Sequence, residues 1–137
     1  MSTVTPRYTL NATTTLPFDD ALVATREALA EENFGVLTEI DVAATLAEKL
    51  GVEREPYVIL GACNPPFADQ VLDADPRLGT LVPCNVCVAV LDGLTTIIAI
   101  DPERLLSLAG NDDLEPIAHE VHRRLQRVVD SVAAGHA

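Results

Sequence analysis

The chain has 137 residues, which is one domain by length and enough to bury about 68% of its unfolded surface. A formal charge of −12, from 21 acids against 9 Lys and Arg, disfavours nucleic acid and anionic membranes as partners, because both are polyanions. Trp is absent and aromatics make up only 4%, so the core must be built from Val, Leu, Ile and Ala.

Residues 8–16 alternate Tyr8, Leu10, Ala12, Thr14 and Leu16 with Thr9, Asn11, Thr13 and Thr15, the period of a strand with one more polar face. Pro17 breaks it, and Phe18 to Glu32 reads as a helix with Phe18, Leu22, Thr25 and Leu29 inward. Asn33 suits the left-handed residue that ends such a helix. Phe34 to Ile40 is a second strand, after which Asp41 caps a helix over 42–50 that Gly51 closes. Tyr57 to Ala62 is a third strand, apolar on both faces and therefore interior to the sheet. It leads into Cys63-Asn64-Pro65-Pro66, and a short helix is expected at 67–74, ending before Asp75-Pro76.

Leu81 to Leu91 reads as a long strand, Asp92-Gly93 as a hairpin turn, and Leu94 to Ile100 as the returning antiparallel strand. Asp101-Pro102 starts another short helix, and residues 112–133 carry apolar side chains at helical spacing, from Leu114 through Val121 and Leu125 to Val132. The order β-α-β-α-β-α-β-β-α predicts an α+β domain over residues 1–137, with its core at about 8–132 and no repeat or linker.

No apolar run approaches the roughly 20 residues that cross a bilayer. Met1 to Arg7 lacks the basic and apolar segments of a signal peptide, so cytoplasmic residence is the expectation. Three cysteines in that setting read as free thiols. The acids spread along the chain as a coat, consistent either with a saline milieu or with an ordinary acidic surface.

Pairing Leu91 with Leu94 sets Cys87 opposite Ile98 and Ala89 opposite Thr96, with Val86, Val88 and Val90 on the other face beside Ala99 and Ile97. Both faces are largely apolar. Helices can cover one, and a homodimer is the expected cover for the second.

Three segments carry a resemblance: Tyr57-Val-Ile-Leu-Gly-Ala-Cys-Asn-Pro65, Leu81-Val-Pro-Cys-Asn-Val86, and Asn33-Phe-Gly-Val-Leu-Thr-Glu-Ile-Asp41. Together they resemble the DUF302 family, small bacterial and archaeal domains of unknown function, over about Tyr8 to Val132. The resemblance implies a two-layer, TBP-like fold with a curved, mainly antiparallel sheet and helices packed on one face. It also implies dimerisation, and it implies no reaction. The chain departs from the family pattern at Asn33, where Gly is usual, and at Cys87, where an apolar β-branched residue is more typical.

Cys63-Asn64 and Cys84-Asn85 are the candidate site. Two thiols meeting at one end of the sheet would form a redox couple, a soft-metal site or an activated nucleophile. The competing reading is that the cysteines pack as small hydrophobes, that Asn64 forms a turn, and that Pro83 marks a bulge or strand edge. Cys84-Asn-Val-Cys87 spells CxxC, but residues three apart in a strand point to opposite faces, so Cys87 is expected in the core.

Glu115, His119 and His122 sit at helical spacing but form no HExxH, and read as a solvated flank. Arg123, Arg124 and Arg127 would complement the dipole of the last helix, and His136 falls in the tail. Glu39 with Asp41, and Asp19 with Asp20, lack a lined cleft for acid–base work. No Gly-rich phosphate loop, GxSxG elbow or basic patch is present, and the sequence leaves the cofactor unknown.

Two functions follow. One is a binding module for a small molecule or soft metal, redox-linked, with Cys63 and Cys84 as ligands and Asn64 and Asn85 orienting them. The other is a structural or interaction homodimer in which the thiols only pack. An enzyme in the strict sense comes third.

Overall fold

Strands β1 (Thr9–Thr14), β2 (Gly35–Asp41), β3 (Tyr57–Cys63), β4 (Cys84–Leu91) and β5 (Leu94–Ile100) form one antiparallel sheet in the order β1-β5-β4-β3-β2. This is a computed structural model that describes residues 7–135; residues 1–6, where a leader was sought, and His136 lie outside the described residues. Helices α1 (Phe18–Glu31), α2 (Val42–Leu50), α3 (Pro65–Ala74), α4 (Pro102–Ser107) and α5 (Glu115–Ala133) complete an α+β domain. Among the described residues, no helix is long and apolar enough to cross a membrane.

The strand register is the expected one: Val86 stands opposite Ala99, Cys87 opposite Ile98 and Leu91 opposite Leu94. β3 is interior, paired with β2 on one side and β4 on the other. Asn33 adopts φ 66° between α1 and β2, the conformation its short polar side chain tolerates. Asp41 caps α2 by accepting from the Ala44 N–H at 2.9 Å.

The larger differences from the expected boundaries have local reasons. β1 ends at Thr14 because the Thr14 hydroxyl accepts the Leu16 N–H and turns the chain before Pro17. β4 begins at Cys84, not Leu81: Pro83 has no N–H for the ladder, and Leu81 closes a 3-10 turn over Pro76–Thr80. α3 begins at Pro65, two residues early, because Pro is tolerated in the first helical turn, where no intrahelical N–H bond is required. Residues 112–114 form a separate 3-10 turn ahead of α5.

α1 and α5 lie across one face of the sheet. Leu60, Val86, Val88 and Ile97 from the strands meet Leu29 and Leu125 from the helices, all fully buried. Each such side chain contributes on the order of 1.5–3 kcal/mol by leaving water. Thr25 and Leu29 are fully buried as expected, whereas Phe18 and Leu22 only flank the core. The α1 contact face instead uses Ala21, Ala24 and Ala28, whose small size brings the helix close to the sheet.

A second, smaller cluster of Val71, Leu78, Leu106, Leu114 and Ala118 joins α3, α4 and the start of α5. Ile117 packs against both clusters and marks the seam between them.

Arg124 and Arg127 serve a different helix end from the one expected. Arg124 donates to the Glu32 carbonyl oxygen at 3.1 Å, and Arg127 donates twice to the Glu32 carboxylate at 2.8 and 3.1 Å. They therefore clamp the C-terminal end of α1, while the last turn of α5 holds no basic residue.

Candidate thiol site

Ala62 of β3 stands opposite Cys84 of β4, so Cys63 is one step beyond that pair. Ladder geometry then puts the Cys63 and Cys84 Cα atoms roughly 5–7 Å apart. Alternation along β3, however, sends the Cys63 side chain to the face opposite Ala62 and Cys84, so the two thiols can share a ligand only around the strand end, where Cys63 gives way to Asn64. All three cysteines are free and partly buried.

Cys63, Asn64, Pro83 and Cys84 all line one cavity, walled by apolar side chains that include Phe34, Phe67, Leu106 and Val121. The cavity lies in the seam between the two apolar clusters, where β3 and β4 run out and α3, α4 and α5 meet. Its volume is about 40 Å³. At roughly 10–15 Å³ per water, that admits about three or four waters or a single ion, whereas metabolite sites run to about 300 Å³ or more.

The two asparagines part company. Asn64 is buried and its amide is fully engaged: Oδ1 accepts the Phe67 N–H at 3.3 Å as the cap of α3, and Nδ2 donates to the Asn33 carbonyl at 3.3 Å. Asn85 is exposed and does not line the cavity. Strand alternation sends it to the face opposite Cys84. It joins Cys87 there, and Cys87 diverges from Cys84 as expected but is half-buried on the open sheet face, not in the core.

Burial pushes the Cys84 thiol up to about 11, and the neighbouring charge on Cys63 adds to the rise. A thiol that stays protonated at neutral pH is a poor nucleophile, so this environment speaks against covalent catalysis through Cys84. Cys87 is also raised, by burial, and it shares a hydrogen bond with Tyr57.

Gly61 supports the site from β3. A Cβ there would meet the Thr38 hydroxyl and lie 3.1 Å from Pro83 Cγ, so only glycine lets those two side chains close over the strand end. On the far side of the seam, Arg124 sits 5.1 Å above the centre of the Phe67 ring, one of the cavity's walls.

The flank of α5 that carries the His pair is solvated at His119, as expected, and more sheltered at His122, and both imidazoles have carboxylate partners. Glu115 takes no part: His119 Nδ1 lies 2.9 Å from Glu103 Oε1, and His122 Nδ1 lies 2.9 Å from Asp101 Oδ1. Both carboxylates come from the start of α4, 16 and 21 residues away, a distance that local spacing cannot reveal. Glu39 pairs with Arg26, Asp41 is the α2 cap, and Asp19 and Asp20 lie in the first turn of α1. The walls from α4 and α5, Leu105, Leu106 and Val121, were likewise invisible in the motifs.

The sequence matches the family model described as domain of unknown function DUF302 over residues 10–132. The structure is similar to the crystal structure of an uncharacterised conserved DUF302 protein from Bacillus stearothermophilus. The two are 29% identical, cover 91% of this chain and 98% of the other, and superpose with a TM-score of 0.85. No curated protein matches the chain.

Proposed function

Because the chain belongs to the DUF302 family, whose description carries no activity, we propose a function from the thiol cavity itself: a small binding module that holds one soft monovalent cation, of the copper(I) or silver(I) type, between Cys63 and Cys84. The observation that carries this reading is that two free cysteines, at neighbouring ends of adjacent strands, both line one apolar cavity of about 40 Å³. That volume favours an ion over an organic ligand. Soft thiolates select copper(I) over harder divalent ions, and low coordination numbers suit a site with two sulfurs and apolar walls.

The raised Cys84 pKa is compatible with this use. Burial disfavours an isolated thiolate, but a cation beside it supplies the opposite charge, and a coordinating thiol gives up its proton. Binding therefore releases the two thiol protons to solvent and changes no oxidation state. Asn64 fixes the cavity wall by capping α3, and Asn85 has no role in it. Native mass spectrometry of the reduced chain with silver(I) tests this. One ion per chain is expected, and it should be lost in both Cys63→Ser and Cys84→Ser; retention in either variant would overturn the reading.

A second reading concerns assembly, and it rests on the sheet face turned away from α1 and α5. Ile40, Leu91 and Leu94 are 49%, 40% and 55% exposed, and half-buried Ile59, Cys87 and Ile98 continue the row from Ile40 by register. An apolar patch across four strands, β2 to β5, is the surface that a second copy of this chain would cover.

A further inference from the structure

We propose that the junction of α4 and α5 carries a second and chemically different metal site, binding a divalent transition-metal ion of the zinc class through Asp101, Glu103 and His122. The ligand atoms of these three residues lie within 4.8 Å of one another. Around an ion with bonds of about 2.0–2.2 Å, ligand atoms are spaced roughly 3–4 Å apart, so side-chain rotation alone closes the set. Two carboxylates and one imidazole make a three-ligand, open-position set typical of zinc-class ions, with none of the softness that selects copper(I).

The frame holding these groups is rigid. The Asp101 N–H donates to the Tyr8 carbonyl at 2.8 Å, and its Oδ1 caps α4 by accepting the Glu103 N–H at 3.0 Å. His122 projects from α5 beside Val121, and Pro102 and Leu106 bury the other side of α4. Asp101 and His122 are correspondingly sheltered, with side chains 13% and 25% exposed. His119, 2.9 Å from Glu103, is the nearest additional donor. Glu103 and His119 also wall a groove of about 680 Å³, so an ion at this site is reached from solvent. The chain's charge of −12 favours cation approach.

The alternative is that Asp101–His122 and Glu103–His119 are only hydrogen bonds pinning α4 to α5. Titration of the full chain with cobalt(II), followed by its visible absorption and by calorimetry with zinc(II), separates the two. We expect one ion per chain, a ligand-field spectrum without a cobalt–thiolate charge-transfer band, and a rise in melting temperature. Glu103→Gln and His122→Asn should each weaken zinc at least about tenfold, since even outer-shell losses cost 10–100-fold. Glu115→Gln and Cys84→Ser should leave binding unchanged. Glu103 caps nothing and is exposed, so Glu103→Gln tests the site even where His122→Asn unfolds the chain. Absence of binding, binding indifferent to Glu103→Gln, or a thiolate band that disappears in Cys84→Ser would each overturn the proposal. The result stands apart from the thiol-cavity reading, because silver(I) binding depends on cysteines that this site does not use.

Discussion

The Asn64 side chain bridges two backbone segments, donating from Nδ2 to the Asn33 carbonyl 31 residues earlier while its Oδ1 accepts from the Phe67 N–H. The amide of the first Cys-Asn motif is therefore taken up in joining the end of α1 to the start of α3, directly beside Cys63. Asn64→Ala should cost about 1–2 kcal/mol in urea unfolding, the usual loss of a helix cap plus one buried partner. Asn64→Asp keeps the cap acceptor and should lose less. Equal losses in the two variants would show that the cap is not the important contact.

Gly61 makes a second architectural prediction. Gly61→Ala should destabilise by about 1–3 kcal/mol, because the added methyl meets Thr38 and Pro83 in a packed position. Adding Thr38→Ala should recover part of that loss. A Gly61→Ala chain as stable as the parent would mean the strand end gives way without cost.

The open sheet face supplies a pH prediction. Burial, and then the hydrogen bond with Cys87, raise the Tyr57 hydroxyl to about 12. The unfolded chain releases that proton near the ordinary value of 10, so above it the unfolded state binds fewer protons than the native state. Stability is thus fully present below about pH 10 and is lost as pH rises toward 12. Cys87, raised in the same direction, begins the decline slightly earlier. Urea midpoints at about pH 8 and 10.5 should fall more for the parent than for Tyr57→Phe. Parallel curves would contradict the assignment.

The clamp on α1 should divide unequally. Arg124→Ala removes a bond to a backbone carbonyl and a cation over Phe67, and should cost about 1–2 kcal/mol at any salt concentration. Arg127→Ala removes a solvent-exposed ion pair, and its smaller effect should fade in molar salt. Denaturation of both variants at low and high salt checks the order.

Self-association through the apolar patch is tested by light scattering at micromolar concentration. The parent should have the mass of a dimer, and Ile40→Asp with Leu94→Asp that of a monomer with unchanged circular dichroism. A monomeric parent would remove this surface from the account.

Much of this architecture is legible in local patterns. Period-two alternation places every pair in the β4–β5 hairpin, and Asn33 before Phe34 marks the left-handed turn. The alternation that separates Cys84 from Cys87 separates Cys84 from Asn85 equally, so the loss of Asn85 from the site was readable too. What local pattern cannot show is the seam. Asp101 meets His122, and Arg124 meets Glu32, only because α4 and α1 are brought against α5 by burial of side chains elsewhere on those helices. The size of the thiol cavity belongs to the same class, since it is set by residues from β3, α3, α4 and α5 together.

The central claim is that Cys63 and Cys84 hold one ion between them. X-ray absorption of the copper(I)-loaded, reduced protein tests it most directly. Two sulfur neighbours to each copper are predicted, falling to one or none when Cys84 is replaced by Ser. A copper site with a single sulfur, with nitrogen and oxygen neighbours only, or with a sulfur shell unchanged in Cys84→Ser would contradict it.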